Sequence, residues 1–239
     1  LNFKLASGDL HDALHRYGCA PIEWVLPKAA NSSVSFEQLI QASTDFPASA
    51  SFLVYSFFAG SFVTRLNHLG LMASYNQWMN EKLCAAAATL PAQALSMDRK
   101  AFFGSIMGTL NHLIVADIIW LKRFAAHPAG FKALEPIRLL ANPQALSQQM
   151  FLDLDELVAQ RQFLDKAIIE WAAQLREADL DVTLHYANTA GIKAHRDFYG
   201  LLIHFFNHQT HHRGQATTLL SQAGVDVGST DLLGLIANI

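Results

Sequence analysis

Cysteine is nearly absent from this chain. Two residues, Cys19 and Cys84, cannot build a disulfide framework and form no CxxC. A stapled secreted fold is therefore excluded, and a reducing, cytoplasmic setting is expected. Proline is scarce at seven residues, and charged residues make up 15% against 51% hydrophobic, a balance that excludes disorder and low-complexity sequence. Charge of one sign is missing too. The formal net charge is -3 with no Lys/Arg cluster, so nothing draws the chain to nucleic acid or an anionic membrane. Long apolar runs are lacking: the longest uncharged one, Phe46 to Thr64, has 19 residues but contains four serines, a threonine, a glycine and a proline. It makes a poor membrane span. The opening LNFKLASGDLHDALHRYG carries acidic residues and no continuous apolar stretch, which is not the pattern of a signal peptide.

What is there suffices for a packed core. For 239 residues, surface scaling predicts roughly 10,000–11,000 Å² exposed when folded, against about 38,000 Å² unfolded. Residues 1–65 read as an N-terminal extension whose place in the native protein the sequence leaves open. They hold three of the seven prolines and serine patches, with short helices expected only near 36–40 and 51–63. Residues 66–239 read as one helical domain. A first helix is predicted from about Arg65 to Leu90, on the recurrence of Leu66, Leu69, Met72, Met79, Leu83 and Ala87. It stops ahead of Pro91. A second, capped by Ser96 or Asp98, is predicted to run to Ala126 and end at HPAG. The stretch 127–152 is too long for a plain connection and should contain short helical turns. A third helix, capped by Asp153 or Asp155, repeats Leu157, Arg161, Leu164, Ile168, Trp171 and Leu175. The period then switches toward two over Val182, Leu184 and Tyr186, with a turn near Asn188–Gly191 and Ile192 beyond it, which predicts a short β-hairpin. A fourth helix spans roughly His195 to Ala223, closed by Gly224. Four long helices with one long crossover, between the second and third, make an all-α four-helix bundle.

Histidine is the residue in excess, at eleven. In LLIHFFNHQTHHRGQATTLL, residues 201–220, the helical stripe through Leu201, Phe205, His208, His212 and Leu219 carries two imidazoles one turn apart. It is read as core-facing. At i and i+4, His208 and His212 can offer nitrogen to one ion, and imidazole suits zinc or nickel. HQTHH is not HExxH, so the general base of a zinc peptidase is missing. On the second helix, Ser105, Thr109, His112, Ala116 and Ile119 share a face, and His112 is the candidate third ligand; the small Thr109 and Ala116 would leave room for solvent or substrate. His204 and His211 have competing spacing, and spacing alone leaves the pair open; the stripe puts both on the flank. Asn207, Arg213 and Gln215 are candidates to orient ligands or hold an anion, with a surface salt bridge the equal alternative for Arg213. His127, His185 and His195 lie in or beside connections and receive no role. Tyr75 and Asn76 are candidates to face the site from the first helix. Cys84 reads as packing, not as a nucleophile.

YNQWMNEKL at 75–83, FFGSIMGTLNHLIVADIIWLKRF at 102–124 and HFFNHQTHHRGQATTLLSQAG at 204–224 together resemble the DinB-like family of damage-inducible proteins. The resemblance covers roughly residues 66–236 and leaves the first 65 without a counterpart. It implies a four-helix bundle related to thiol-dependent transferases and maleylpyruvate isomerases. It also implies a divalent metal held by one histidine on the second helix and an HxxxH on the fourth, which here are His112, His208 and His212. The function so implied is a metal-dependent thiol transferase, or a detoxification or stress enzyme, acting on a small electrophilic substrate with a low-molecular-weight thiol as co-substrate. Two alternatives stand beside it: a metal-dependent hydrolase or isomerase, and a non-catalytic stress-response or binding protein with a structural metal. No nucleic acid or membrane partner is expected. Apolar faces on long bundle helices favour a homodimer.

Overall fold

The computed structural model describes residues 64–188 and 190–238. The expected short helices at 36–40 and 51–63, and Cys19, lie outside the described residues. Four long helices build the domain: α1 (Arg65–Ala87), α3 (Ile106–Phe124), α5 (Leu154–Ala172) and α6 (Phe198–Gln222). Between them lie the short α2 (Ala92–Ser96) and α4 (Glu135–Arg138), and an antiparallel hairpin of β1 (Thr183–Ala187) and β2 (Lys193–Asp197) leads into α6. The long crossover joins α3 to α5 and contains a 3-10 turn, Lys132–Leu134, followed by α4. The bundle, its crossover and the hairpin are as the sequence predicts. No helix among the described residues is long and apolar enough to cross a membrane.

Each long helix begins where a side chain satisfies free backbone N–H groups. Thr64 accepts from Asn67 N–H, Ser105 from Gly108, Asp153 from Asp155 and Glu156, and Asp197 from Gly200. Two starts differ from the expectation. The helix predicted from Ser96 or Asp98 begins at Ile106. Ser96 ends α2, and the Asp98 carboxylate accepts from Lys100 N–H in a turn where Lys100 (φ 57) and Gly104 (φ 75) take left-handed conformations. The helix predicted from His195 begins at Phe198, because His195 pairs with His185 across the hairpin.

The core is continuous through the four helices. Trp171 of α5 stacks on Phe124 of α3 at 5.2 Å, and Phe124 meets Phe198 and Phe205 of α6 edge-on at 5.5 and 5.7 Å. Every apolar position of the α5 repeat is buried, as are Leu69, Met79, Leu83 and Ala87 of α1. Gly108 on the first turn of α3 has a specific reason to be glycine: a Cβ there would run into the Phe103 carbonyl, so only glycine lets the preceding turn lie against the helix.

A polar network ties the four helices together inside this core. Arg161 of α5, 3% exposed, forms ion pairs to Asp117 of α3 (2.6 Å) and Asp165 of α5 (2.9 Å). From α1, Asn76 and Asn80 donate to the Asp165 carboxylate at 3.1 and 2.9 Å. From α6, Gln209 donates to Asp117 and Arg213 donates to the Asn76 carbonyl. Burial pushes the Asp117 carboxyl up to about 6 despite the Arg161 guanidinium beside it.

Candidate metal centre

The centre is built on two antiparallel helices. Ring contacts pair His112 of α3 with His212 of α6 at one end and Trp120 with His204 at the other. Helical spacing then puts His208 one turn from His212. The three ring centroids form a compact triangle, 4.4 Å from His112 to His212, 5.3 Å from His112 to His208 and 4.3 Å from His208 to His212. One ring nitrogen from each lies within 4.8 Å of the others, an arrangement that could coordinate a metal ion. Among the described residues this is the one group of three or more metal-capable side chains.

Hydrogen bonding selects the free nitrogen. His112 Nδ1 lies 2.8 Å from the Leu146 carbonyl, which can only accept, so Nδ1 carries the proton. Its Nε2 is then an acceptor, buried and without a partner. A buried lone pair of that kind costs free energy unless something fills it, and a metal ion does so. On His212, Nδ1 donates to Gln215 Oε1 at 2.8 Å, which again leaves Nε2 free. The residues therefore fit a metal by the orientation of their hydrogen bonds as well as by their proximity. Electrostatics agree. Burial, and then the neighbouring imidazoles, push His208 down to about 3, and burial lowers His112 and His212 as well. All three rings are neutral at pH 7, the form that ligates.

Residues around the triangle hold it. Asn111 bridges α3 to the end of the crossover: its amide donates to the Phe151 carbonyl and its oxygen accepts from Phe151 N–H, both at 2.9 Å. That clamp brings the nearby Leu146 carbonyl to His112. Phe103, on the turn before α3, stacks on the His112 ring at 3.8 Å and meets His212 edge-on at 5.4 Å.

The sequence reading is corrected at several positions. The fully buried stripe of α6 runs through Phe205, Gln209, Arg213, Ala216 and Leu220, and His208 and His212 sit half-buried at its edge. One residue step turns a helix by a quarter circle, and the polar network makes Gln209 and Arg213 admissible inside. Arg213 is neither a surface salt bridge nor an anion holder, since it points to Asn76 and lies 5.3 Å from the Tyr75 ring. Tyr75 donates to the Thr230 carbonyl and Asn76 joins the Asp165 network, so neither faces the histidines. Thr109 and Ala116 are buried; the ring face of His112 is taken by Phe103. Asn207 is exposed. Gln215, one of the three candidates to orient ligands, does contact a histidine, accepting from His212 Nδ1. His204 and His211 are exposed on the flank, as expected, and Cys84 is buried with its thiol pushed up to about 11 by burial. Phe103, Leu146 and Asn111 were not legible as site residues. Phe151 and Leu146 are 40 and 34 residues from their partners Asn111 and His112, so their meeting depends on the crossover.

Comparison with known proteins gave one match. The model of the family described as the DinB family matches residues 64–238. Neither the curated proteins nor the solved structures gave a match.

Proposed function

Because the chain belongs to the DinB family, we propose that His112, His208 and His212 hold a divalent ion, zinc or nickel, through their Nε2 atoms, and that the protein is a metal-dependent thiol transferase. Its substrate on this reading is a small electrophile, and a low-molecular-weight thiol is the co-substrate. The observation that carries the metal reading is the buried, partnerless Nε2 of His112 aimed at two neutral imidazoles. A divalent ion in such a site lowers the pKa of a coordinated water or thiol and supplies a nucleophile near neutral pH.

The chain's own residues do the rest. Leu146 and Gln215 fix the tautomers of His112 and His212, so their lone pairs stay aimed at one point. Phe103 covers one face of His112 and keeps water from it. Among the described residues no fourth His, Cys, Asp or Glu joins the group, which favours an open, catalytic position over a closed structural one. A hydrolase or isomerase could use the same opening, and the thiol dependence of turnover separates it from a transferase. The buried Cys84 thiol stays out of the chemistry, in keeping with a reducing, cytoplasmic setting.

The test is metal content by mass spectrometry on untagged protein, with His112→Ala and His208→Ala/His212→Ala. Near-stoichiometric zinc or nickel, lost in both variants, is expected, followed by thiol-dependent consumption of 1-chloro-2,4-dinitrobenzene. Folded, metal-repleted protein that retains no ion would refute the metal reading. Metal retention without thiol-dependent turnover across a panel of thiols and electrophiles would refute the transferase and leave the structural-metal alternative.

A further inference from the structure

Beyond the three histidines, a row of rings continues along the same side of α3 and α6. His204 lies 5.9 Å from His208 and 5.0 Å from Trp120, and Trp120 lies 5.6 Å from Tyr186 of the hairpin. At the end of the row the Arg123 guanidinium sits over both Trp120 (4.6 Å) and Tyr186 (4.9 Å). Arg196 lies on β2 opposite Leu184, two positions along β1 from Tyr186, and so shares the Tyr186 face of the hairpin.

Among the described residues no carboxylate pairs with either guanidinium. Arg65 pairs with Glu177 and Asp181, Arg161 with Asp117 and Asp165, and Arg176 with Asp179. Arg99, Arg138 and Arg213 donate to backbone or amide oxygens. The side chains of Arg123 and Arg196 make no hydrogen bond or ion pair among the described residues. The acidic groups closest in sequence to the hairpin are already engaged: Asp179 and Asp181 hold arginines, and Asp197 caps α6. A guanidinium half-desolvated between two rings, with no carboxylate partner among the described residues, is poised for an anion from outside. The rings between it and the histidines offer a flat apolar bed.

We propose that this row is the binding site for a carboxylate-bearing small molecule, with its carboxylate at Arg123 and Arg196, its planar or apolar body on Trp120 and Tyr186, and its far end at the three histidines. The inference deepens the transferase reading and names the substrate class. It rests on that reading only for what happens at the far end.

The experiment uses 3-phenylpropionate and its uncharged amide, 3-phenylpropanamide, as probes of the full chain. Binding is read from the indole N–H resonance of Trp120, assigned with Trp120→Phe. The acid should bind at least about tenfold tighter than the amide, as expected for a charge-assisted bond at a half-desolvated guanidinium. The preference should fall to within about twofold in Arg123→Gln and be partly kept in Arg123→Lys, since lysine retains the charge but not the planar fork. It should survive removal of metal with chelator. Equal binding of acid and amide by the wild-type chain overturns the proposal without reference to any variant. So does a preference that survives Arg123→Gln but vanishes with the metal, because the carboxylate would then sit at the histidines. A chain that binds no metal yet prefers the acid through Arg123 refutes the metal reading and supports this one.

Discussion

Replacing Arg161 tests the reasoning about the buried network most directly. Arg161 is the cation between two buried carboxylates, at 2.6 Å from Asp117 and 2.9 Å from Asp165, with its own side chain 4% exposed. In Arg161→Met the volume is roughly kept, but both carboxylates lose their ion pairs. Removing one partner of a buried pair costs about 3–5 kcal/mol, because an uncompensated charge is left behind. Arg213 remains as a second cation whose charge is felt at both carboxylates, which points to the lower half of that range. For a domain of this size each kcal/mol moves Tm by roughly 2–4 °C, so the melt should fall by roughly 6–16 °C at pH 8. The carboxylates have an escape that methionine does not block, since without Arg161 they take up protons more easily. The penalty should therefore shrink at pH 5, and Arg161→Met/Asp117→Asn should recover part of it at pH 8. Urea denaturation of the three proteins at both pH values gives the answer. A loss below about 1 kcal/mol at pH 8, or one unchanged at pH 5, would mean the ion pairs are not what holds these helices in register.

The remaining predictions concern the site and its surroundings. The metal-free protein should lose stability as pH falls from about 6.5 toward 3. Burial lowers His112, His127, His204, His208 and His212, so the unfolded chain binds more protons than the folded one across that window. Asp117 and Asp165 are raised and oppose the trend, adding stability below pH 6, but two carboxylates stand against five imidazoles. Chelator-treated protein melted at pH 7.5, 6 and 5 checks the sign, and a Tm that rises on acidification refutes it. Gly108→Ala should cost about 1–3 kcal/mol despite alanine's better helix propensity, because the Phe103 turn must move off α3. It should also weaken metal retention through the lost stacking on His112, and a higher Tm would contradict the close approach. Cys84 should resist iodoacetamide in native Cys19→Ser protein at pH 8 and react after unfolding, its thiol being buried and raised to about 11. Rapid native labelling by mass spectrometry would overturn that.

How much of this was legible in the sequence follows from the range of each interaction. Helix existence is local: the three-and-four spacing of Leu157, Leu164, Ile168 and Trp171 marks α5, and each of those side chains is buried. The hairpin is equally local, through the change of period and the turn after Asn188. The histidine triad was within reach because His208 and His212 share one helix and one turn, and because the three quoted segments resemble a family whose model does match the chain. Sequence periodicity alone left His204 and His211 as rivals, and it mistook the edge of the core stripe for its centre.

Tertiary structure decided the rest. An apolar pattern cannot show that Gln209 and Arg213 face inward, because their burial is admissible only once Asp117 and Asn76 arrive from other helices. The start of α3 was set by a cap and a left-handed turn against which the apolar pattern is silent. His112 acquired its tautomer from Leu146, 34 residues away across the crossover. Arg123 met Tyr186 only because the hairpin folds back beside α3. The sequence by itself determined which helices form and offered His208 and His212 as a pair one turn apart, since both depend on spacing within one element. Which nitrogen is left free, and which charges are left unpaired, depends on partners distant in the chain, and folding alone supplies those.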